Sequence, residues 1–134
     1  VELAALGVEV AIRTGGMGAL AKNLALGDFL VVAEAVRNSG VATFYAEPGE
    51  RVLADTGIVA LLDAARGELG LPGRPGTCAT ADGYYRAQGR PDRPAGDGTP
   101  EILDQLAARG ADGIEMEAEI VLAAGHALTH KETR

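Results

Sequence analysis

Glycine is the residue that most limits what this chain can fold into. Of the 134 residues, 19 are glycine, which is about twice the usual share of roughly 7%. Because glycine tolerates positive φ and close backbone approach, so many glycines predict short elements separated by tight turns. The length fits one domain over residues 1–134, with enough chain to bury a core.

The predicted strands and helices lie between these breaks. Val1 to Leu6 is typical of the last turns of a helix ending at Gly7. Short apolar segments predict strands at residues 8–12, 29–33, 77–80 and around 114–118. Helical spacing predicts helices at residues 55–69, 101–109 and 119–128, with an irregular stretch over 35–55. The apolar stripes that should face the core are Ile58, Leu61, Leu62, Ala65 and Leu69 in one helix and Ile102, Leu103 and Leu106 in another.

Charge and cysteine usage exclude several classes of partner. A net charge of −7 argues against nucleic acid and anionic membrane, since both require a basic face. A small anion stays possible, because one or two local arginines outweigh distant, screened acidic groups. The single Cys78 cannot form an internal disulfide, which fits a reducing cytoplasm. No apolar run reaches the roughly 20 residues of a membrane span, and no signal peptide pattern occurs.

Arg13 begins a glycine-rich loop that ends at Gly18, directly after the first predicted strand. Such a loop presents backbone N–H groups to an anion, and the guanidinium adds a planar cationic donor. An ordinary tight turn is the alternative. Residues 16–21 also fit a G-x-G-x-x-A dinucleotide pattern. We interpret that match as accidental, because residues 19–26 are too few for a parallel crossover before the next strand.

The loop after the third predicted strand concentrates polar and aromatic chemistry. Tyr84 and Tyr85 are two of only five aromatic residues in the chain, and Gln88 and Arg90 follow them. A ring, an amide and a guanidinium together can hold a planar heterocycle. An ordinary surface turn with a half-buried tyrosine is the alternative interpretation.

Two carboxylates flank a methionine near the end of the chain, at Glu115 and Glu117. If the strand there persists, both carboxylates point to one face. Such pairs more often form a solvated strand edge than a site. His126 and His130 are four residues apart, but without an HExxH pattern we expect them to be exposed and predict no metal site.

Three motifs in this order resemble the nucleoside phosphorylase family, and most closely its uridine phosphorylases. They are Ile12-Arg13-Thr14-Gly15-Gly16-Met17-Gly18-Ala19-Leu20, Asp82-Gly83-Tyr84-Tyr85-Arg86-Ala87-Gln88-Gly89-Arg90 and Ile114-Glu115-Met116-Glu117-Ala118. The resemblance covers residues 1 to about 122 and implies an α/β fold, a three-layer α/β/α sandwich around a mixed sheet. Family segments before Val1 and after about Leu122 have no counterpart, so we expect an incomplete domain, as an internal piece of a larger enzyme or a truncated gene product. We expect residues 1–134 alone to show little or no phosphorolysis.

The resemblance also implies residue roles. Arg13 and Gly16 would bind phosphate, Tyr84 would stack near base and sugar, and Gln88 and Arg90 would bind the uracil edge. The family usually has threonine or serine where Gly16 stands, so one hydroxyl contact to phosphate is absent or comes from a neighbouring threonine.

For the sugar, the resemblance implies contacts from Glu115, Met116 and Glu117, with Glu117 accepting hydrogen bonds from the ribose hydroxyls. The implied reaction is phosphorolysis of uridine to uracil and ribose 1-phosphate, without metal or organic cofactor and with phosphate as co-substrate. The implied assembly is a homo-oligomer, a hexamer built from dimers.

Two other functions stay open at this point. One is a purine nucleoside phosphorylase or a hydrolytic nucleosidase on the same scaffold, against which Gln88 and Arg90 argue. The other is a non-catalytic nucleoside-binding or purely structural remnant.

Overall fold

One mixed sheet organises the chain. The structure is a computed structural model that describes residues 1–47, 49–93 and 96–129. Within them the strands are β1 Gly18–Ala19, β2 Phe29–Val36, β3 Arg51–Leu53, β4 Gly73–Thr80 and β5 Gly113–Glu115, in the order β1-β5-β4-β2-β3. The helices are α1 Glu2–Ala5, α2 Thr56–Glu68, α3 Glu101–Ala108 and α4 Ala118–Thr129, with 3-10 turns at Val41–Phe44 and Arg86–Gln88. Strands β2, β4 and β5 are parallel to one another, whereas β1 and β3 are antiparallel to their neighbours.

Helices pack on both faces of this sheet. On one face Val36 of β2 belongs to a core cluster with Leu106 of α3. On the other face the preceding residue, Ala35, packs with Ala118 of α4. Because successive strand residues point to opposite faces, these two clusters define three layers. The expected α/β fold, a helix–sheet–helix sandwich around a mixed sheet, is confirmed.

The strand predictions have mixed outcomes. The predicted strands at 29–33 and 77–80 are confirmed, and both are longer than expected. The prediction at residues 8–12 is wrong: Val10 and Ile12 are more than half exposed and the segment joins no ladder within the described residues. The irregular stretch predicted for 35–55 is also wrong in part, because β2 runs on to Val36 and pairs with β3.

The helix predictions are confirmed in type but not always in facing. Helix α2 begins as expected at Asp55, whose Oδ1 accepts a hydrogen bond from the Ile58 amide at 2.9 Å. Its stripe is wrong at Leu61 and Leu69, which are 68% and 73% exposed, and no residue of α2 is completely buried. In α3 the inward facing of Leu106 is confirmed.

The carboxyl ends of β2, β4 and β5 lie at one edge of the sheet, since the three strands are parallel. The residues that follow them there are 37–40, 81–90 and 116–117. Strand β1 is antiparallel to β5, with Gly18 opposite Ile114, so the residues just before Gly18 reach the same edge. Ligands of α/β sheets bind at such an edge, and every predicted site residue lies in these segments except Glu115, which is the last residue of β5.

Gly73 is the glycine whose replacement should disturb the sheet most. Its φ is +121°, and a Cβ there would lie 1.9 Å from the Phe29 carbonyl oxygen of the neighbouring strand. Gly73→Ala should therefore destabilise the fold by at least about 2 kcal/mol. Gly67→Ala is the control, because nothing lies within 4 Å of that Cβ position in α2 and the change should be neutral or stabilising by up to about 1 kcal/mol. Urea unfolding measures both, and equal midpoints for the two variants would contradict this account.

Asp112 at the start of β5 should make the fold acid-sensitive. Its carboxylate accepts hydrogen bonds from Arg74 Nη2 at 2.7 Å and from the Thr77 amide at 2.9 Å. The Arg74 hydrogen bond, opposed only in part by burial, lowers the pKa of Asp112 below its ordinary value of 3.8. A pKa that is lower in the folded state stabilises the fold above the unfolded-state pKa, and this contribution is lost as pH falls through the folded-state pKa.

The matching measurement is the unfolding free energy of wild type and Asp112→Asn from pH 7 down to pH 2. We expect the wild type to be more stable at neutral pH and the difference to shrink below about pH 4, where the unfolded-state aspartate protonates. A difference that stays constant with pH would show that the charge of Asp112 is not responsible.

Candidate functional site

Glu115 is a buried carboxylate whose hydrogen bonds fix its orientation in the site. It is the last residue of β5, and its side chain is 1% exposed. Oε1 accepts a hydrogen bond from Thr80 Oγ1 at 2.5 Å, and Oε2 accepts from the amides of Glu117 and Ala118 at 2.7 and 2.8 Å. These amides are among the unpaired donors at the start of α4, and a carboxylate is favoured at that end of a helix. The orientation of Glu115 is therefore set by three donors.

Arg13 brings the glycine-rich loop onto this carboxylate. Its Nη1 lies 3.1 Å from Oε2 of Glu115, and its Nη2 donates to Oε2 of Glu117. The side chains of Arg13 and Glu117 are 31% and 50% exposed, so water reaches this second contact. An ion pair of this kind contributes little to stability. An incoming anion can therefore displace Glu117 from Arg13 without disturbing Glu115.

The loop before β1 leaves space beside the guanidinium. A Cβ at Gly15 would lie 2.8 Å from Nη2 of Arg13, so the backbone passes directly over that group. Gly16 has nothing within 4 Å of its Cβ position. Met17 anchors the loop by packing against the cluster that contains Ala35, Cys78 and Ala118. The loop thus passes close to the Arg13 guanidinium at Gly15 and leaves the Cβ position of Gly16 unoccupied.

The loop after β4 carries the aromatic residues. The rings of Tyr84 and Tyr85 meet edge to face with centroids 5.2 Å apart, and both residues are more than half exposed. The Arg90 guanidinium lies 4.6 Å from the centroid of the Tyr84 ring, a cation–π arrangement. Gln88 is buried at 6% exposure, whereas Arg90 is exposed. Tyr84 thus presents an accessible ring with a guanidinium over it.

The structure brings the predicted residues together in two groups. Arg13, Glu115 and Glu117 are in direct contact, as are Tyr84 and Arg90. The two groups lie at neighbouring strand ends, because Thr80 of β4 pairs with Glu115 of β5. Met116 lies between the two glutamates and is half-buried.

The expected common facing of Glu115 and Glu117 is wrong. Strand β5 ends at Glu115, so the alternation of a strand does not extend to Glu117. Glu115 turns back to bond the first amides of α4 and is buried, whereas Glu117 lies in the turn and is half exposed. The two carboxylates nevertheless meet at the Arg13 guanidinium.

Several polar residues at this edge were not predicted from the sequence. Thr80 Oγ1 accepts a hydrogen bond from the Glu119 amide at 2.8 Å while it donates to Glu115. Asp82 accepts from Ser39 Oγ at 2.5 Å. Asp82 is the first residue of the quoted motif and Thr80 lies two residues before it, which was the only available signal for them. For Glu119 the signal was an acidic residue placed among the apolar residues that begin α4.

Neither a metal-binding cluster nor a reactive thiol occurs among the described residues. No group of three or more His, Cys, Asp or Glu side chains there is arranged to hold a metal ion. His126 is exposed as expected, with Nε2 2.7 Å from the Leu53 carbonyl oxygen, and His130 lies outside the described residues. Burial raises the pKa of the Cys78 thiol to about 12, so this group is protonated at neutral pH and is a poor nucleophile. Of the helices in the described part of the chain, none has the length and apolar character to cross a membrane.

Comparison with known proteins identifies the family of the chain. The sequence model of the phosphorylase superfamily matches residues 1–131, and the chain belongs to that superfamily.

Several relatives of the chain within this superfamily are uridine phosphorylases. A uridine phosphorylase of Thermococcus kodakarensis is 34% identical over 90 residues, which are 67% of this chain and 32% of that protein. Uridine phosphorylases of Salmonella typhimurium and Escherichia coli are each 29% identical over 124 residues, 90% of this chain and 49% of theirs. The chain thus spans about a third to a half of the length of these relatives, and the resemblance stated from the motifs is confirmed.

Proposed function

We propose that the protein carrying this chain is a pentosyltransferase of the uridine phosphorylase type, which converts uridine and inorganic phosphate to uracil and ribose 1-phosphate. One observation carries the proposal: the Arg13 guanidinium contacts Glu115 and Glu117 where the glycine-rich loop opens. An anion-binding group and a half-exposed carboxylate for a diol are then adjacent, as attack of phosphate on a ribose carbon requires. The uridine phosphorylases among the relatives support the choice of nucleoside.

Phosphate binds Arg13 and the backbone amides of the loop, in the space beside Gly16. It carries between one and two negative charges near neutral pH, so it competes with Glu117 for the guanidinium. Glu115 keeps its contact with Arg13, because three other donors hold that carboxylate in place. Phosphate therefore frees Glu117 and leaves Arg13 oriented.

Ribose binds to the carboxylate that phosphate has freed. Glu117 is half exposed at the strand edge and accepts hydrogen bonds from the vicinal hydroxyls, with Met116 against the sugar. A carboxylate at this position also stabilises the positive charge that develops on the ribose ring as the glycosidic bond lengthens. Glu115 acts on the sugar indirectly, by holding Arg13 and the start of α4.

The base binds in the loop after β4. Tyr84 stacks on the uracil ring, and Gln88 and Arg90 bond its polar edge, where uracil alternates acceptors with a donor. Because Arg90 lies over one face of the Tyr84 ring, either Arg90 moves to the edge of the base or the base stacks on the other face of the ring. Its charge then stabilises the electron pair left on the departing uracil.

The reaction is a single displacement in which one bond forms and one breaks. A phosphate oxygen donates an electron pair to the anomeric carbon, and the carbon–nitrogen bond leaves its pair on uracil. Uracil then takes up, directly or through water, the proton that hydrogen phosphate loses on forming the ester. No metal or organic cofactor enters this scheme. We extend the proposal to a cytoplasmic homo-oligomer, a hexamer by the resemblance, without nucleic-acid or membrane partners.

The two glutamates should separate catalysis from stability. Glu117→Gln in the native protein should lower kcat for uridine by about 10²-fold, the usual cost of removing one charge-stabilising group. Its melting temperature should stay within 1–2 °C of wild type (about 0.5 kcal/mol or less), because the side chain is half exposed. Glu115→Gln is the matched variant. It should lower the melting temperature, since it leaves buried donors poorly paired. The assignment of Glu117 fails if its amide variant keeps wild-type kcat.

Gly16 offers a gain-of-function test. Its Cβ position is open and its φ is compatible with other residues, so Gly16→Thr should fit and supply the missing hydroxyl contact to phosphate. One such hydrogen bond contributes about 0.5–1.5 kcal/mol, and the KM for phosphate should fall by about two- to tenfold. Gly16→Val has the same shape without the hydroxyl and should not lower KM. Equal effects of the two variants would place phosphate elsewhere.

The proposed function itself is tested by product analysis. Native protein incubated with uridine should release uracil and ribose 1-phosphate, and only when phosphate is present. Release of uracil and free ribose without phosphate would identify a nucleosidase, and faster turnover of inosine would identify a purine enzyme. Binding of uridine by calorimetry without any turnover would leave a nucleoside-binding protein.

A further inference from the structure

Glu119 is a buried carboxylate that the proposed reaction does not use. Its side chain is fully buried at the second position of α4. Oε2 accepts hydrogen bonds from the amides of Asn38 and Ser39 at 2.9 and 2.7 Å. Oε1 lies 3.4 Å from Nε of Arg37, which is itself 9% exposed. Burying a carboxylate is costly unless it is paired in this way.

Residues 38–40, the turn whose amides bond Glu119, are also hydrogen-bonded to the loop after β4. Ser39 Oγ donates to Oδ1 of Asp82 at 2.5 Å, and the Gly40 amide donates to Oδ2 at 2.7 Å. Asn38 Nδ2 donates to the Thr80 carbonyl oxygen at 2.7 Å. The turn 38–40 therefore clamps the first residues of the segment that leads to Tyr84.

A second connection returns to Glu119 through the backbone. The Glu119 amide donates to Thr80 Oγ1, which donates to Glu115. The side chain of Glu119 thus holds the turn 38–40 against the loop after β4, and its amide is linked through Thr80 to Glu115. The glycine-rich loop is held differently, by Arg13 on the glutamates and by Met17 in the core.

We propose that Glu119 is a positioning residue for the nucleoside: through the turn 38–40 and Asp82 it sets where the Tyr84–Arg90 loop stands relative to Glu117. This inference rests on the proposed function for its kinetic consequence only. The side-chain connection runs to the loop after β4, whereas the amide that links Glu119 through Thr80 to Glu115 is kept in every variant. Loss of the Glu119 side chain should therefore weaken binding of the nucleoside and leave binding of phosphate unchanged.

The kinetic test compares three variants of the native protein. Glu119→Ala should raise the KM for uridine about tenfold or more, with the KM for phosphate within twofold of wild type. Glu119→Gln keeps an oxygen acceptor for both amides and should recover most of that loss. If Glu119→Ala does not fold, Ser39→Ala supplies the measurement, because it removes the hydrogen bond from Ser39 Oγ to Oδ1 of Asp82. Asp112→Asn is the control, because it removes a carboxylate that likewise bonds an arginine and a backbone amide, at the other end of β5. It should change neither KM.

Amide hydrogen exchange without substrate gives a readout independent of activity. In Glu119→Ala, or in Ser39→Ala if the Glu119 variant does not fold, residues 38–40 and 82–90 should exchange faster than in Asp112→Asn. Equal changes in both KM values, or no change in either, with unaltered exchange at 82–90 would reduce Glu119 to a residue that stabilises the fold. If wild type does not cleave uridine, the proposed function fails, and exchange at 82–90 alone then decides for or against the positioning role.

Discussion

The site depends on the hydrogen bonds that Glu115 accepts at the end of β5. One carboxylate joins Thr80 of β4 to the first amides of α4 and holds Arg13 at the same time. The donors at a helix start and a buried anion satisfy each other. Three segments that are distant in sequence, around Arg13, Thr80 and Glu115, therefore meet at one edge with fixed orientations. Glu117, two residues later, is left half exposed and free to respond to what binds.

The site contains positively charged side chains although the chain as a whole is negatively charged. The net charge is −7, yet Arg13, Arg37 and Arg90 are all present at this edge. Two of the three are held by buried carboxylates, and the third lies on a tyrosine ring. A small anion thus encounters an oriented guanidinium at short range, while the acidic remainder of the surface is screened over a Debye length.

Much of the fold and of the site could be predicted, and the failures have identifiable physical causes. Local signals sufficed for α2, whose Asp55 cap is a short-range feature, and the motifs gave Arg13, Glu115 and Glu117 because their order is distinctive. Residues 8–12 have strand composition, but a strand exists only where a neighbour supplies ladder bonds. Glu119 was missed because its partners, Asn38 and Ser39, are about 80 residues away and bond through backbone amides, which the sequence does not reveal.

The most direct test of the account is a crystal structure of the native protein with phosphate bound. The account predicts phosphate beside Gly16, with Arg13 bonded to phosphate and to Glu115, and with Glu117 separated from the guanidinium and facing the open edge. Phosphate bound elsewhere, with the Arg13–Glu117 pair still intact, would contradict it.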